Sequence, residues 1–184
     1  MLTERRVDLI IYGDFNCPFS ALASFRAECL ERAGVVRVDW RAVEHDPDVP
    51  GGGEPVRGSL VAELDRELEQ VHGLLLSCEH LELRRPRLRS NTAAAVEIYA
   101  GAEPRFRAAM RAELFRRFWV AGEDLGDDGV LDAVGINRAT DTALRWRREW
   151  FELGSTVVPT MRLSDGYVSR GLGALSRLAD LLDR

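Results

Sequence analysis

Cys17-Pro18-Phe19-Ser20 is the stretch of this chain with the clearest chemistry. The thiolate is the reactive form of cysteine, and a free thiol ionises only near pH 8.5 (about). An apolar run, Val7-Asp8-Leu9-Ile10-Ile11-Tyr12, stands just before the motif, and an amphipathic stretch follows it. The cysteine is therefore expected in a turn between a strand and the start of a helix. The unpaired N–H groups and positive dipole end of that helix favour a thiolate. Pro18 suits the first helical position, where its missing N–H costs nothing. The expectation is a Cys17 pKa below the free value. Ser20, three residues on, shares the helix face of Cys17 and can donate a hydrogen bond to its sulfur.

The pattern is a redox-active C-x-x-C turn whose second cysteine is serine. A C-x-x-C pair closes an internal disulfide and passes oxidising equivalents to a client. C-x-x-S cannot, because a mixed disulfide on Cys17 has no motif thiol to resolve it. One thiol remains, able to attack, to be capped by a small thiol, or to position one. The competing reading is a cysteine that merely packs at a helix start.

Several elements must position this turn. Residues 7–12 read as a buried strand. A first helix runs from Pro18 to Ala33 and stops at Gly34. Residues 35–43 alternate, with Val36, Val38 and Trp40 on one face, as a half-buried strand does. The β-α-β order implies parallel strands with a right-handed crossover. Residues 46–55 are a loop by composition. His45, Asp46 and Asp48 lack a second cluster at ligand spacing, so they read as a solvated turn and no metal site is expected.

A helical block follows. Ser59 can cap a helix carrying Leu60, Leu64, Leu68, Val71 and Leu75. Ser90 or Asn91 can cap another through Ala100. Pro104 opens a third with Phe106, Met110, Leu114 and Phe118. Residues 127–134 form a short helix, and Asn137 starts a long one carrying Ala143, Trp146, Trp150 and Leu153. The period then changes back: residues 157–163 read as a strand, Asp165-Gly166 as a hairpin turn, 167–169 as the returning strand and 174–183 as a final helix. The whole is a small four-stranded α/β core with helices inserted in its middle.

The chain has 184 residues and 46% hydrophobic content, ordinary for a globular protein. Its net charge is −5 and every basic residue is arginine. An acidic balance argues against nucleic-acid or anionic-membrane partners. Three cysteines, at 17, 29 and 78, do not make a secreted disulfide framework. Arg5 and Arg6 precede a strand, with no apolar signal region, and no apolar run has the length of a membrane span. A cytoplasmic protein among reduced thiols is expected.

At this point the motifs converge. Asp14-Phe15-Asn16-Cys17-Pro18-Phe19-Ser20 resembles the D-F-x-C-P-W-C or D-x-x-S-P-Y-S turn of DsbA-like thioredoxin superfamily proteins. Within them it is most similar to the cytoplasmic FrnE-like and 2-hydroxychromene-2-carboxylate isomerase-like group. Trp40-Arg41-Ala42-Val43-Glu44-His45-Asp46-Pro47 resembles that group's W-R-P-F-x-L-x-P segment. Ser90-Asn91-Thr92 resembles its N-T helix start, and residues 114–125 its L-F-x-A-Y-F-x-x-G-x-D-I run. Val158-Pro159-Thr160 is similar to the superfamily loop that carries a cis proline.

The resemblance implies an α/β, thioredoxin-like fold, a four-stranded mixed sheet with a large helical insertion. Residues 1–58 and 154–184 would form the core and 59–153 the inserted helical domain. Cys17 would be the nucleophile and Ser20 its hydrogen-bonding partner. Pro18, Phe19, Val158, Pro159 and Thr160 would bind a thiol substrate, with the Val158–Pro159 peptide cis and close to Cys17. The implied function is thiol-disulfide oxidoreductase chemistry with a single cysteine. No cofactor would be tightly bound; glutathione or another low-molecular-weight thiol would be the partner. A glutathione-type isomerase or kappa-like transferase is the second reading; those proteins have serine where this chain has Cys17, so the chain resembles something intermediate between the two groups. A non-catalytic binding module is the third. A homodimer is one arrangement left open.

Cys29 lies twelve residues beyond Cys17, about 18 Å along a helix, and cannot pair with it. It reads as a packed helix residue. Cys78, in the inserted block, is a candidate to resolve a Cys17 adduct, against an idle thiol. The Arg84–Arg89 run is a candidate for holding substrate carboxylates, against a solvated face. Asp14 reads as a turn residue before a proton acceptor.

Overall fold

The opening apolar run forms β1, Val7–Gly13, and the alternating segment forms β2, Val36–Ala42. They pair in parallel from Val7 with Val36 to Gly13 with Ala42. The computed structural model describes residues 7–154 and 156–183; Arg5 and Arg6 lie outside the described residues. The crossover is α1, Pro18–Arg32, which buries Ala21, Leu22, Ala23, Ala27 and Leu30. Gly34 ends it in the left-handed region, at φ 73°. That turn lets Gly34 and Val35 donate back to Glu31 and Leu30 and satisfy the last carbonyls.

β5, Thr160–Leu163, and β6, Val168–Arg170, complete a mixed sheet in the order β2-β1-β5-β6. β5 runs antiparallel to β1, with Thr160 opposite Tyr12. α7, Leu172–Leu182, packs against α1. Between β2 and β5 lie α2 (Ser59–Gly73), α3 (Ala93–Gly101), α4 (Arg107–Arg116), α5 (Asp128–Asp132) and α6 (Thr140–Glu152). Asp127 caps α5 through bonds from Gly129 and Val130. The fold is the expected α/β type, a four-stranded mixed sheet with helices inserted.

Four segments differ from the sequence reading. The 46–55 loop ends in a two-residue strand β3, Glu54–Pro55, paired with β4, Leu88–Arg89, because Arg89 reaches both Glu54 and Asp46. The helix expected from Pro104 is a 3-10 turn, then α4, then a π-helical turn over 117–121, which leaves Phe106 half exposed. The helix expected from Asn137 begins at Thr140. Residues before it lie against α3, where Ala139 donates to Glu97, and where a side chain at Gly101 would meet the Asn137 carbonyl at 2.2 Å. The strand expected from 157 begins at Thr160. Pro159 has no N–H, and the Val157 carbonyl accepts from Trp150 Nε1 and Thr160 Oγ1.

One buried ion pair ties the insertion to the core. Arg26, 2% exposed on α1, makes a two-pronged contact with Glu79, Nε to Oε1 at 2.7 Å and Nη2 to Oε2 at 2.8 Å. It also donates to the carbonyls of Leu175 on α7 and Leu74 beyond α2. Removing one member of such a pair leaves a buried charge alone and costs about 3–5 kcal/mol. Glu79→Ala should therefore lose about that much in urea unfolding. A loss under about 1 kcal/mol would show that the pair behaves as a surface contact.

Candidate active site

The site begins where β1 ends. After Gly13 the chain makes one turn, in which the Cys17 N–H donates to the Asp14 carbonyl at 3.2 Å. Cys17 is the N-cap of α1, extended at φ −101° and ψ 120°, and Pro18 takes the first helical position. Its carbonyl accepts from Ala21, the first bond of the helix. The strand-turn-helix placement expected of this motif is the one observed.

Because β5 starts opposite Tyr12, the residues just before it fall beside the turn. Cys17 Sγ donates to the Val158 carbonyl at 3.7 Å, and the Val158–Pro159 peptide is cis. Thr160 is fully buried and Val158 nearly so. Ser20 is fully buried; its Oγ accepts from the Asp14 N–H at 3.3 Å, and its side chain and backbone N–H are placed to favour a thiolate at Cys17. Pro18 lies at the helix start, and Phe19 next to it is half-buried against the core.

Asp14 is the turn residue expected, and its side chain also ties three segments together at the centre of the site. Its carboxylate is fully buried. Oδ1 accepts from Thr92 Oγ1 at 2.7 Å and from the Asn16 N–H at 3.4 Å. Oδ2 accepts from the His45 N–H at 2.8 Å and lies 2.8 Å from His45 Nδ1. The insertion adds further holds: Asn16 Nδ2 donates to the Ser90 carbonyl, and Trp119 Nε1 to the Phe15 carbonyl at 2.9 Å. Thr92 stands at the N-cap of α3 yet spends its hydroxyl on Asp14, so the side-chain bond at that helix start comes from Asn91, which accepts from Ala93.

The electrostatics reverse one expectation. Cys17 is only 7% exposed. Burial pushes its thiol up to about 12, against the pull of the Ser20 hydrogen bonds, and the charges of Asp14 and Glu67 add to the rise. The helix terminus does not prevail because desolvation of a thiolate exceeds what one helix end returns. For His45, burial favours the neutral ring, but the Asp14 hydrogen bond and charge, with Asp46 and Glu67, outweigh it and the pKa rises.

Of the remaining candidates, the two other cysteines lie away from this centre, whereas the arginine run adjoins it through Ser90. Cys29 lies in the C-terminal half of α1, the end remote from Cys17, and Cys78 precedes Glu79, which pairs with Arg26 on that same half of the helix, so the structure does not bring Cys78 to Cys17. In the arginine run, Arg85 pairs with Asp65, and Arg89 with Asp46 and Glu54. Among the described residues no three His, Cys, Asp or Glu side chains cluster to hold a metal, and no helix is long and apolar enough to cross a membrane.

A sulfur at the head of α1 faces the carbonyl before a cis proline, beside the central strand, as the motif resemblance implies. Residues 8–145 match the model of the DSBA-like thioredoxin domain, and the chain belongs to that family. No curated protein matches it in sequence. Among solved structures it is similar to the probable DsbA oxidoreductase SCO1869 from Streptomyces coelicolor, with TM-score 0.73 and 21% identity over 97% of this chain and 91% of that one. It is similar to a 2-hydroxychromene-2-carboxylate isomerase, with TM-score 0.70 and 19% identity over 96% and 95%. It also resembles the cytosolic disulfide reductase DsbM from Pseudomonas aeruginosa, solved with GSH, with TM-score 0.59 and 19% identity over 95% of each chain.

Two measurements check the site. Iodoacetamide should modify exposed Cys78 before Cys17, and the Cys17 rate should still climb above pH 9 (about), beyond the free-thiol range. A Cys17 rate that levels at or below pH 8.5 (about) would contradict the buried-thiol account. The second concerns His45, whose raised pKa means that charged His45 stabilises the fold. That contribution is complete below the unfolded value of about 6.5 and is lost as pH rises through the higher folded value. Relative to His45→Gln, the wild type should hold a larger urea-unfolding advantage at pH 6 than at pH 9 (about). An equal or larger advantage at the higher pH would contradict it.

Proposed function

We propose that this protein is a thiol-disulfide oxidoreductase that works through one cysteine, Cys17, in exchange with a low-molecular-weight thiol such as glutathione. The supporting observation is Cys17 Sγ at the N-terminus of α1, 3.7 Å from the Val158 carbonyl, with an alcohol, Ser20, at the second motif position. In this reading the resting sulfur is protonated. A disulfide substrate docks along Val158 and Pro159, with Thr160 holding that loop and Pro18 and Phe19 forming the other wall. Cys17 gives up its proton, attacks one sulfur, and the second leaves as a thiolate that takes up the proton. Ser20 stabilises the Cys17 thiolate as it forms. A small thiol then loses its proton and attacks the substrate sulfur joined to Cys17, forming a new disulfide, and Cys17 leaves as a thiolate that takes up the proton, since the motif holds no second sulfur. The inserted helices, residues 59–153, act as the unit that grips the turn.

The cytoplasm suits this chemistry: all three cysteines are free, and the DsbM structure is of a cytosolic reductase. The second reading is a thiol-dependent isomerase, favoured by the likeness to 2-hydroxychromene-2-carboxylate isomerase across nearly the whole of both chains. There the bound thiol, positioned beside Cys17, would be the nucleophile.

Reduction of a mixed glutathione disulfide by glutathione separates the first reading from the isomerase and from a non-catalytic module. Cys17→Ser should abolish turnover. Ser20→Ala should slow it about tenfold or more, from about 1.5–3 kcal/mol for a hydrogen bond to a charged group. Ser20→Cys should gain dithiol oxidase activity towards a reduced peptide. Turnover unchanged in Cys17→Ser would overturn the proposal.

A further inference from the structure

A second thiol pair lies along α1, away from the active turn. Cys29 follows Arg26 by three residues, so both sit on one face of the helix. Arg26 is clamped by Glu79, and the turn that carries Glu79 is itself closed: the Glu79 N–H donates to the Leu76 carbonyl at 2.9 Å and the Leu76 N–H to Glu79 Oε2 at 2.8 Å. Cys78 is the residue before Glu79, so the clamp brings its turn onto the Cys29 face of the helix. The charges of Glu79 and Cys78 both reach Cys29. Cys78 is exposed, Cys29 half-buried, and both are free thiols.

We propose that Cys29 and Cys78 are a redox pair that closes into a disulfide and locks the end of α2 and its turn to α1, independently of Cys17. The oxidant is a small-molecule disulfide such as oxidised glutathione. Exposed Cys78 loses its proton and attacks one sulfur, and one glutathione leaves as thiolate and takes up a proton. Cys29 then loses its proton and attacks the Cys78 sulfur of the mixed disulfide, and the second glutathione leaves in the same way. Two protein thiols are oxidised and one glutathione disulfide is reduced to two thiols. The buried Arg26–Glu79 contact holds the two strands of chain in place while this happens.

The test uses folded wild type and Cys17→Ser, incubated with oxidised glutathione, alkylated, weighed intact and peptide-mapped. Cys17→Ser should lose two hydrogens, mapped to a Cys29–Cys78 link, and wild type should show the same link, with any Cys17 adduct read separately. Cys29→Ser should instead keep a stable glutathione on Cys78. The linked protein should melt at a higher temperature than the reduced one, and a reductant should reverse the shift. Stable adducts on both cysteines without a link, a link between two chains, or a Cys17–Cys78 link would each overturn the proposal. The Cys17 adduct in the same spectrum reports on the proposed function alone, so the two failures are distinguishable.

Discussion

The buried Asp14 carboxylate is the constraint around which the site is built. A carboxylate with no exposed surface must have its oxygens hydrogen-bonded, or burial costs several kcal/mol (about). Here the partners come from three segments: Asn16 within the turn, His45 after β2, and Thr92 at the start of α3. Satisfying one charge therefore fixes the Cys17 turn against the core and against the insertion together. The backbone of Asp14 completes the fastening, with its N–H on Ser20 and its carbonyl under the Cys17 N–H.

That arrangement sets the state of the sulfur. The same packing that orders the turn buries Cys17 beside a negative charge, and both effects favour the thiol. The helix terminus and Ser20 act in the other direction and are outweighed. The resting protein thus holds a protonated sulfur with its hydrogen directed at the Val158 carbonyl. In the proposed reaction a substrate replaces this contact, and the chain has Ser20 where a resolving thiol would stand.

Much of this was legible in the sequence, and the reasons are specific. β1, α1 and β2 follow from an apolar run, a proline-headed helix with a glycine stop, and strict alternation, all local signals. Cys17, Pro18 and Ser20 follow from the same punctuation. The place of Val158 and Pro159 was legible through motif resemblance, since the antiparallel pairing of Tyr12 with Thr160 joins residues far apart in the chain. The Asp14–His45–Thr92 cluster was not legible, because its members are separated by dozens of residues and each has an ordinary local role as turn, loop or cap. The raised pKa of Cys17 was missed for a related reason: local sequence reports the helix end, whereas burial is a property of the assembled fold. Phe106 was misplaced because its spacing fits a helix that begins at Pro104, while the chain there makes a 3-10 turn.

The most direct test of the account is a crystal structure of the protein after stoichiometric reaction with oxidised glutathione. The account predicts a disulfide from Cys17 Sγ to the glutathione sulfur, with the Val158 carbonyl released from Cys17 and the glutathione backbone lying alongside Val158. An unmodified Cys17 still directed at the Val158 carbonyl, with glutathione absent from that groove, would contradict it.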